Sequence, residues 1–127
     1  MAHFIIDYSP NLEEEIDWPA FCDLLRTEAI ATGVFPLAGI RVRAFAANHV
    51  SIADGDAKHG YIDISVRLRE GRSLEARKTA TAALFAAAES FLEPIMQTRS
   101  LALSMEMRDI DAELAPKTGT IRDHLKG

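Results

Sequence analysis

The chain carries one cysteine, Cys22, among its 127 residues. One thiol closes no internal disulfide and builds no Cys-rich zinc site. Its neighbours place Cys22 on a helix, where a buried structural thiol is expected. Long apolar runs are absent too, and nothing approaches the roughly 18 residues that cross a bilayer. The opening Met1-Ala2-His3-Phe4 lacks the basic start and apolar run of a secretory signal. Basic residues are in deficit: 14 Lys and Arg against 19 Asp and Glu leave a formal net charge of −5. That sign argues against a general nucleic-acid partner, which needs a basic surface, and leaves room for a local basic pocket that takes a small anion. There is no H-E-x-x-H, G-x-S-x-G or Walker loop. The histidines His3, His49, His59 and His124 share no metal-ligand spacing, so no metal site is expected. These absences describe a soluble, cytoplasmic protein with no membrane and no nucleic-acid partner.

What is present is ordinary globular composition, with 48% hydrophobic and 26% charged residues, and a length that suits one domain over residues 1–127. Phe4-Ile5-Ile6-Asp7-Tyr8 reads as a strand ended by Ser9-Pro10-Asn11. Asp17 is placed to cap a helix from Trp18 to Thr32, with Pro19 in its first turn and Gly33 as its stop. Trp18 and Phe21 belong to the core of that helix. From Gly39 to Ala46, Ile40, Val42, Ala44 and Ala46 alternate with Arg41, Arg43 and Phe45, the period of a strand. Asn48 to Gly60 is a loop or irregular hairpin. Tyr61 to Arg69 alternates again, with Ile62, Ile64, Val66 and Leu68 on one face.

Ser73 can cap an Ala-rich helix from Leu74 to Leu92, which Pro94 is expected to limit or kink. Leu101 to Met107 forms the last strand, and the polar tail from Asp109 holds at most a short helical turn near Ile121 to Leu125. The order is β-α-β, loop, β-α-β, so the chain divides into repeat halves of about 1–60 and 61–127. Each β-α-β unit makes its two strands parallel. The expected fold is α+β in two layers, a four-stranded mixed sheet with both helices on one face. The other face is left open, with Arg41, Arg43 and Phe45 on one side of a strand and Met105 and Met107 on one side of another. A second copy of the chain is the simplest cover.

Residue types alone offer few sites. Gly71-Arg72-Ser73 opens a helix directly after a strand, and an arginine beside helix N-terminal N–H groups suits an anion; a surface arginine at a turn fits the same spacing. Arg41 and Arg43 share a strand face, as solvated or interface arginines also would.

Longer segments carry more. His3-Phe4-Ile5-Ile6-Asp7-Tyr8-Ser9, Ala31-Thr32-Gly33-Val34-Phe35-Pro36-Leu37-Ala38-Gly39-Ile40-Arg41, Gly71-Arg72-Ser73-Leu74-Glu75-Ala76-Arg77 and Ser100-Leu101-Ala102-Leu103-Ser104-Met105-Glu106 resemble the 5-carboxymethyl-2-hydroxymuconate delta-isomerase family. That family belongs to the tautomerase superfamily, with 4-oxalocrotonate tautomerase as a shorter relative. The resemblance runs from residue 3 to about 125. It implies duplicated β-α-β units, a homotrimer, and a cofactor-free 1,3-proton shift on a dienol carboxylate in homoprotocatechuate breakdown. It implies as ligand a small dicarboxylate or tricarboxylate. The family's base is the amine of an N-terminal proline, exposed when the initiator Met is removed. Here that position is Ala2, which would offer a primary amine in the same place. Arg41 and Arg72 fall on the family's two arginine positions, for carboxylate pairing and enolate stabilisation, and Arg43 is a further substrate-binding position. The departure at Ala2 leaves an alternative expectation, a family member that binds a small anion without turning it over.

Overall fold

A computed structural model of the protein describes residues 1–126. Strand β1 (Ala2–Tyr8) is followed by helix α1 (Trp18–Thr32) and strand β2 (Ile40–Ala46). Strand β3 (Gly60–Arg69), helix α2 (Leu74–Met96) and strand β4 (Leu101–Ile110) repeat the pattern. The sheet order is β2-β1-β3-β4. Within each half the strands pair in parallel, β1 with β2 and β3 with β4, and the halves join through antiparallel β1 and β3. The chemistry of both helix starts is as expected from sequence. The Asp17 carboxylate accepts from the Ala20 N–H at 3.0 Å, and the Ser73 hydroxyl accepts from the Ala76 N–H at 3.1 Å. Gly33 takes the left-handed conformation, φ 72°, that lets α1 stop there.

Alternation along the two central strands builds the core. Ala2, Phe4, Ile6 and Tyr8 of β1 and Ile62, Ile64, Val66 and Leu68 of β3 are buried on the helix side of the sheet. Phe21 and Leu25 of α1 and Leu84, Ala88 and Leu92 of α2 are buried with them in one cluster. Phe21 is the hinge of an aromatic group. It meets Trp18 edge-on at 5.9 Å and Phe91 of the other helix at 5.2 Å, while Trp18 stacks on Tyr8 at 3.7 Å. Cys22 is half-buried against this core, and burial pushes its thiol up. The protein is held in the unreactive thiol form there.

Three sequence expectations are corrected. Pro94 does not end α2, which runs on to Met96; proline sits in the last turn, where its lost donor and its ring disturb only one turn of helix. β4 extends past Met107 to Ile110, because its ladder with β3 continues to the pair Arg69 and Ile110. Met105 and Met107 are not on the open face. The parallel register sets them beside Ile64 and Val66, and aligned residues of neighbouring strands share a face, so both pack against the core.

The open face is polar and sorted by charge. One row across the sheet is Arg41, His3, Arg67 and Arg108; two residues along lies the row Arg43, Ile5, Ser65 and Glu106, and four along lies the row Phe45, Asp7, Asp63 and Ser104. Tyr61 donates its hydroxyl to Asp7, Ser104 donates to Asp63 at 2.6 Å, and Arg43 donates to His3 Nδ1 at 3.1 Å. An arginine only donates, so His3 accepts with an unprotonated nitrogen. Burial and the surrounding Arg43, Arg67 and Arg41 charges hold its pKa below the ordinary histidine value. At one end of the sheet the loop after β2 is tied down by His59, whose ring lies 2.7 Å from both Ser100 Oγ and Asp54 Oδ1. Among the described residues no helix is long and apolar enough to cross a membrane.

Phe21→Ala removes the buried ring through which α1 meets Phe91 of α2. It is expected to destabilise the protein by about 3–5 kcal/mol, read as a lower urea midpoint; a loss below about 1 kcal/mol would contradict a core centred on Phe21.

Candidate active site

The N-terminus lies at the end of the sheet where β1 and β2 start side by side, with Ala2 beside Ile40. A tight turn at Leu37–Gly39 delivers the chain into β2, and the Gly39 N–H donates to Pro36 O at 2.9 Å. The two strands approach so closely there that a Cβ on Gly39 would stand 2.9 Å from the Met1 nitrogen and 3.2 Å from its Cα. Only glycine leaves that space to the amine. Ala2 itself is fully buried, which fixes the backbone just behind Met1.

Over the amine opens a cavity of about 420 Å³. Its walls come from two places. Pro36, Ala38, Gly39 and Arg41 belong to the approach and start of β2, while Lys117, Ile121, Arg122 and Asp123 belong to the tail that follows β4. Arg41 donates to the Gly39 carbonyl at 3.0 Å, which holds its guanidinium over the same turn that shapes the cavity floor. Burial holds the Met1 amine below the ordinary α-amine value, and the charges of Lys117, Arg41 and Arg72 act in the same direction. Each disfavours the protonated, positively charged form of the amine. An amine so placed keeps a larger share of free base at neutral pH.

The sequence-predicted residues are distributed unevenly around this cavity. Arg41 lines it, and Ala2 lies directly behind the amine. Arg72 does not line it within one chain. It stands before α2, where its guanidinium donates to the Arg69 carbonyl at 3.2 Å, and its charge still reaches the amine. Arg43 is two residues from Arg41 on the same face and is engaged with His3. Lys117 and Arg122 were missed by sequence reasoning. They lie in a polar tail without hydrophobic periodicity, and no local signal says which part of the fold such a tail returns to. Among the described residues no group of three or more His, Cys, Asp or Glu is arranged to hold a metal ion.

A partly buried amine at the sheet end, with cationic side chains near it and duplicated β-α-β units beneath, is the arrangement this fold builds. A solved structure described as a fused 4-OT wild-type symmetric trimer shares this fold, with a TM-score of 0.70 and 17% identity over 91% of this chain and 93% of that one. The likeness becomes specific in sequence. Residues 2–125 match the 5-carboxymethyl-2-hydroxymuconate isomerase family, and the chain belongs to that family. It is 35% identical to the 5-carboxymethyl-2-hydroxymuconate Delta-isomerase of Escherichia coli over 121 residues, 95% of this chain and 96% of that protein. A crystal structure of a 5-carboxymethyl-2-hydroxymuconate isomerase from Deinococcus radiodurans R1 superposes with a TM-score of 0.91 at 26% identity, over 99% of this chain and 95% of that one. The protein is an isomerase of the tautomerase kind. The alternative of a member that only binds an anion finds no support in these likenesses.

Gly39→Ala is expected to push the Met1 backbone off its place and cut isomerase turnover about tenfold to a hundredfold, with little change in the urea midpoint. Unchanged turnover would contradict the close approach of the amine to this glycine.

Proposed function

We propose that this chain, as one domain, moves a proton on a 5-carboxymethyl-2-hydroxymuconate-like substrate, with its N-terminal amine as the base and no cofactor. The observation that carries the reading is the amine at the cavity floor, held below its usual pKa by burial and cationic neighbours. A general base works best with a pKa near the operating pH, and an ordinary α-amine, near ~8, is slightly too basic. The amine accepts the enol O–H proton of the dienol and returns a proton to the far carbon of the dienol, so that the double bonds shift by one place and the conjugated ketone forms. No electron is gained or lost and the proton count is unchanged.

The arginines supply the rest. A guanidinium pairs with a carboxylate through two parallel hydrogen bonds, and cationic donors stabilise the oxygen charge that develops as the proton moves. Arg41 is placed for the first task inside the cavity, and Arg72 acts from the other half of the repeat. Arg43 holds a substrate-binding place of lesser weight. If Met1 is removed, the free amine is that of Ala2, which starts the same strand, its nitrogen 3.7 Å from where a Cβ on Gly39 would stand.

Self-association fits the open face. Basic and acidic rows on one surface suit another copy of the same surface, and a relative with this fold is described as a symmetric trimer. A homotrimer would also bring Arg72 of one copy towards the amine of the next. The setting is breakdown of homoprotocatechuate in the cytoplasm, with a dicarboxylate or tricarboxylate as ligand.

Three outcomes test this. Arg41→Ala and Arg72→Ala are each expected to weaken binding of a dicarboxylate about tenfold, since a charge-assisted pair contributes roughly 1.5–3 kcal/mol; unchanged affinity in both would remove the assignment. Ala2→Pro, confirmed by mass to have lost Met1, is expected to raise turnover of a hydroxymuconate, because a ring amine is fixed in one orientation. A processed, folded Ala2→Pro protein that turns over nothing would contradict the base. Sedimentation is expected to give a trimer mass at micromolar concentration, and a monomer would overturn the assembly.

A further inference from the structure

The tail after β4 makes a journey that its own packing does not explain. β4 is one edge of the sheet and β2 the other, three inter-strand spacings apart, about 14 Å. Yet Lys117, Ile121, Arg122 and Asp123 line the same cavity as Arg41 at the start of β2. The tail crosses the whole sheet end to get there.

Hydrophobic burial does not hold it. Residues 116–126 are exposed, and the turn Ile121–His124 buries no side chain. The backbone hydrogen bonds found there are local, from Asp123 N–H to the Thr120 carbonyl and from Leu125 N–H to the Arg122 carbonyl. Electrostatics among the cavity's own side chains oppose the arrangement. Lys117 and Arg122 come to a cavity that already holds Arg41 and the N-terminal amine, and among the described residues Asp123 is the one carboxylate on its walls. Gathering like charges this way is unfavourable until an anion enters.

We propose that residues 117–123 are a substrate-closing strap whose Lys117 and Arg122 clamp a carboxylate across the cavity from Arg41. The inference rests on the reading of this cavity as the isomerase site. Arg41 alone, inside the cavity, takes one carboxylate; the strap adds a second cationic pole on the facing wall and makes the site selective for substrates with more than one carboxylate. Lys117 has a second effect. It is the first charge acting on the amine, and it disfavours protonation together with Arg41 from β2 and Arg72 from the turn before α2. Other basic groups at this end of the fold are Arg122, His3 with its unprotonated Nδ1, Arg67, Arg108 and Arg69, and Asp123 is an opposing carboxylate on the cavity wall.

The test uses the full-length protein with propane-1,2,3-tricarboxylate and benzoate as probes. Lys117→Met and Arg122→Met are each expected to weaken tricarboxylate binding about tenfold by calorimetry, and to leave benzoate binding within about twofold. Lys117→Arg should restore the tricarboxylate. Hydrogen exchange over residues 112–126 is expected to slow when tricarboxylate binds. A further readout is the rate at which acetic anhydride modifies the N-terminal amine near about pH 7. It should fall about threefold or more in Lys117→Met and return in Lys117→Arg. These measurements need no turnover, so an inactive protein that passes them would contradict the proposed reaction and leave the strap standing. Equal loss for tricarboxylate and benzoate, or no loss for either in the double variant, would overturn the strap.

Discussion

The site depends on how closely two parallel strands start beside each other. β1 and β2 pair from their first residues, and the pairing is tight enough that Gly39 has no room for a side chain next to Met1. Burial of Ala2 anchors the strand from behind. These two constraints hold a nitrogen that would otherwise fray with the chain end at a fixed point, partly out of water. Desolvation then does the chemical work of lowering its affinity for a proton, with the charges of Lys117, Arg41 and Arg72 adding to it. The amine's lowered affinity for a proton is thus a consequence of strand pairing together with the cationic groups around it.

Much of this architecture was legible because it rests on period-2 alternation and on helix-capping chemistry. Ile62, Ile64, Val66 and Leu68 declared their buried face, and Asp17, Ser73 and Gly33 marked helix ends that the structure keeps. Errors came where local signals are ambiguous. Met105 and Met107 lie on the apolar side of an edge strand, and only the register with Ile64 and Val66 decides which way that side faces. Pro94 is a helix breaker in mid-helix and a tolerated residue in a last turn, and sequence does not say which turn is last. At the site, Arg41 was legible through its segment, whereas Lys117 and Arg122 were not. Their role follows from the tail's crossing of the sheet end, a long-range path that polar residues do not encode locally.

The uncovered sheet face has a different character from an ordinary hydrophobic interface. Its large exposed hydrophobic side chain is Phe45, and arginine, aspartate, serine, tyrosine, His3 and Glu106 make up most of the rows around it. Tyr61 shows how firmly that polar surface is organised: burial first, and then its bond to Asp7, push its phenol up to about 12. Charge rows fix register and orientation more strongly than they add affinity, which suits the self-association proposed for this face.

The most direct measurement is turnover of a 2-hydroxymuconate after acetylation confined to the N-terminal nitrogen, with the site of modification confirmed by mass and the fold by circular dichroism. An acetylated nitrogen is an amide with no useful basicity. If the amine is the base, turnover should fall by a factor of about 10² or more and stay low at every pH. Turnover that survives complete acetylation in the folded protein would contradict an α-amine base.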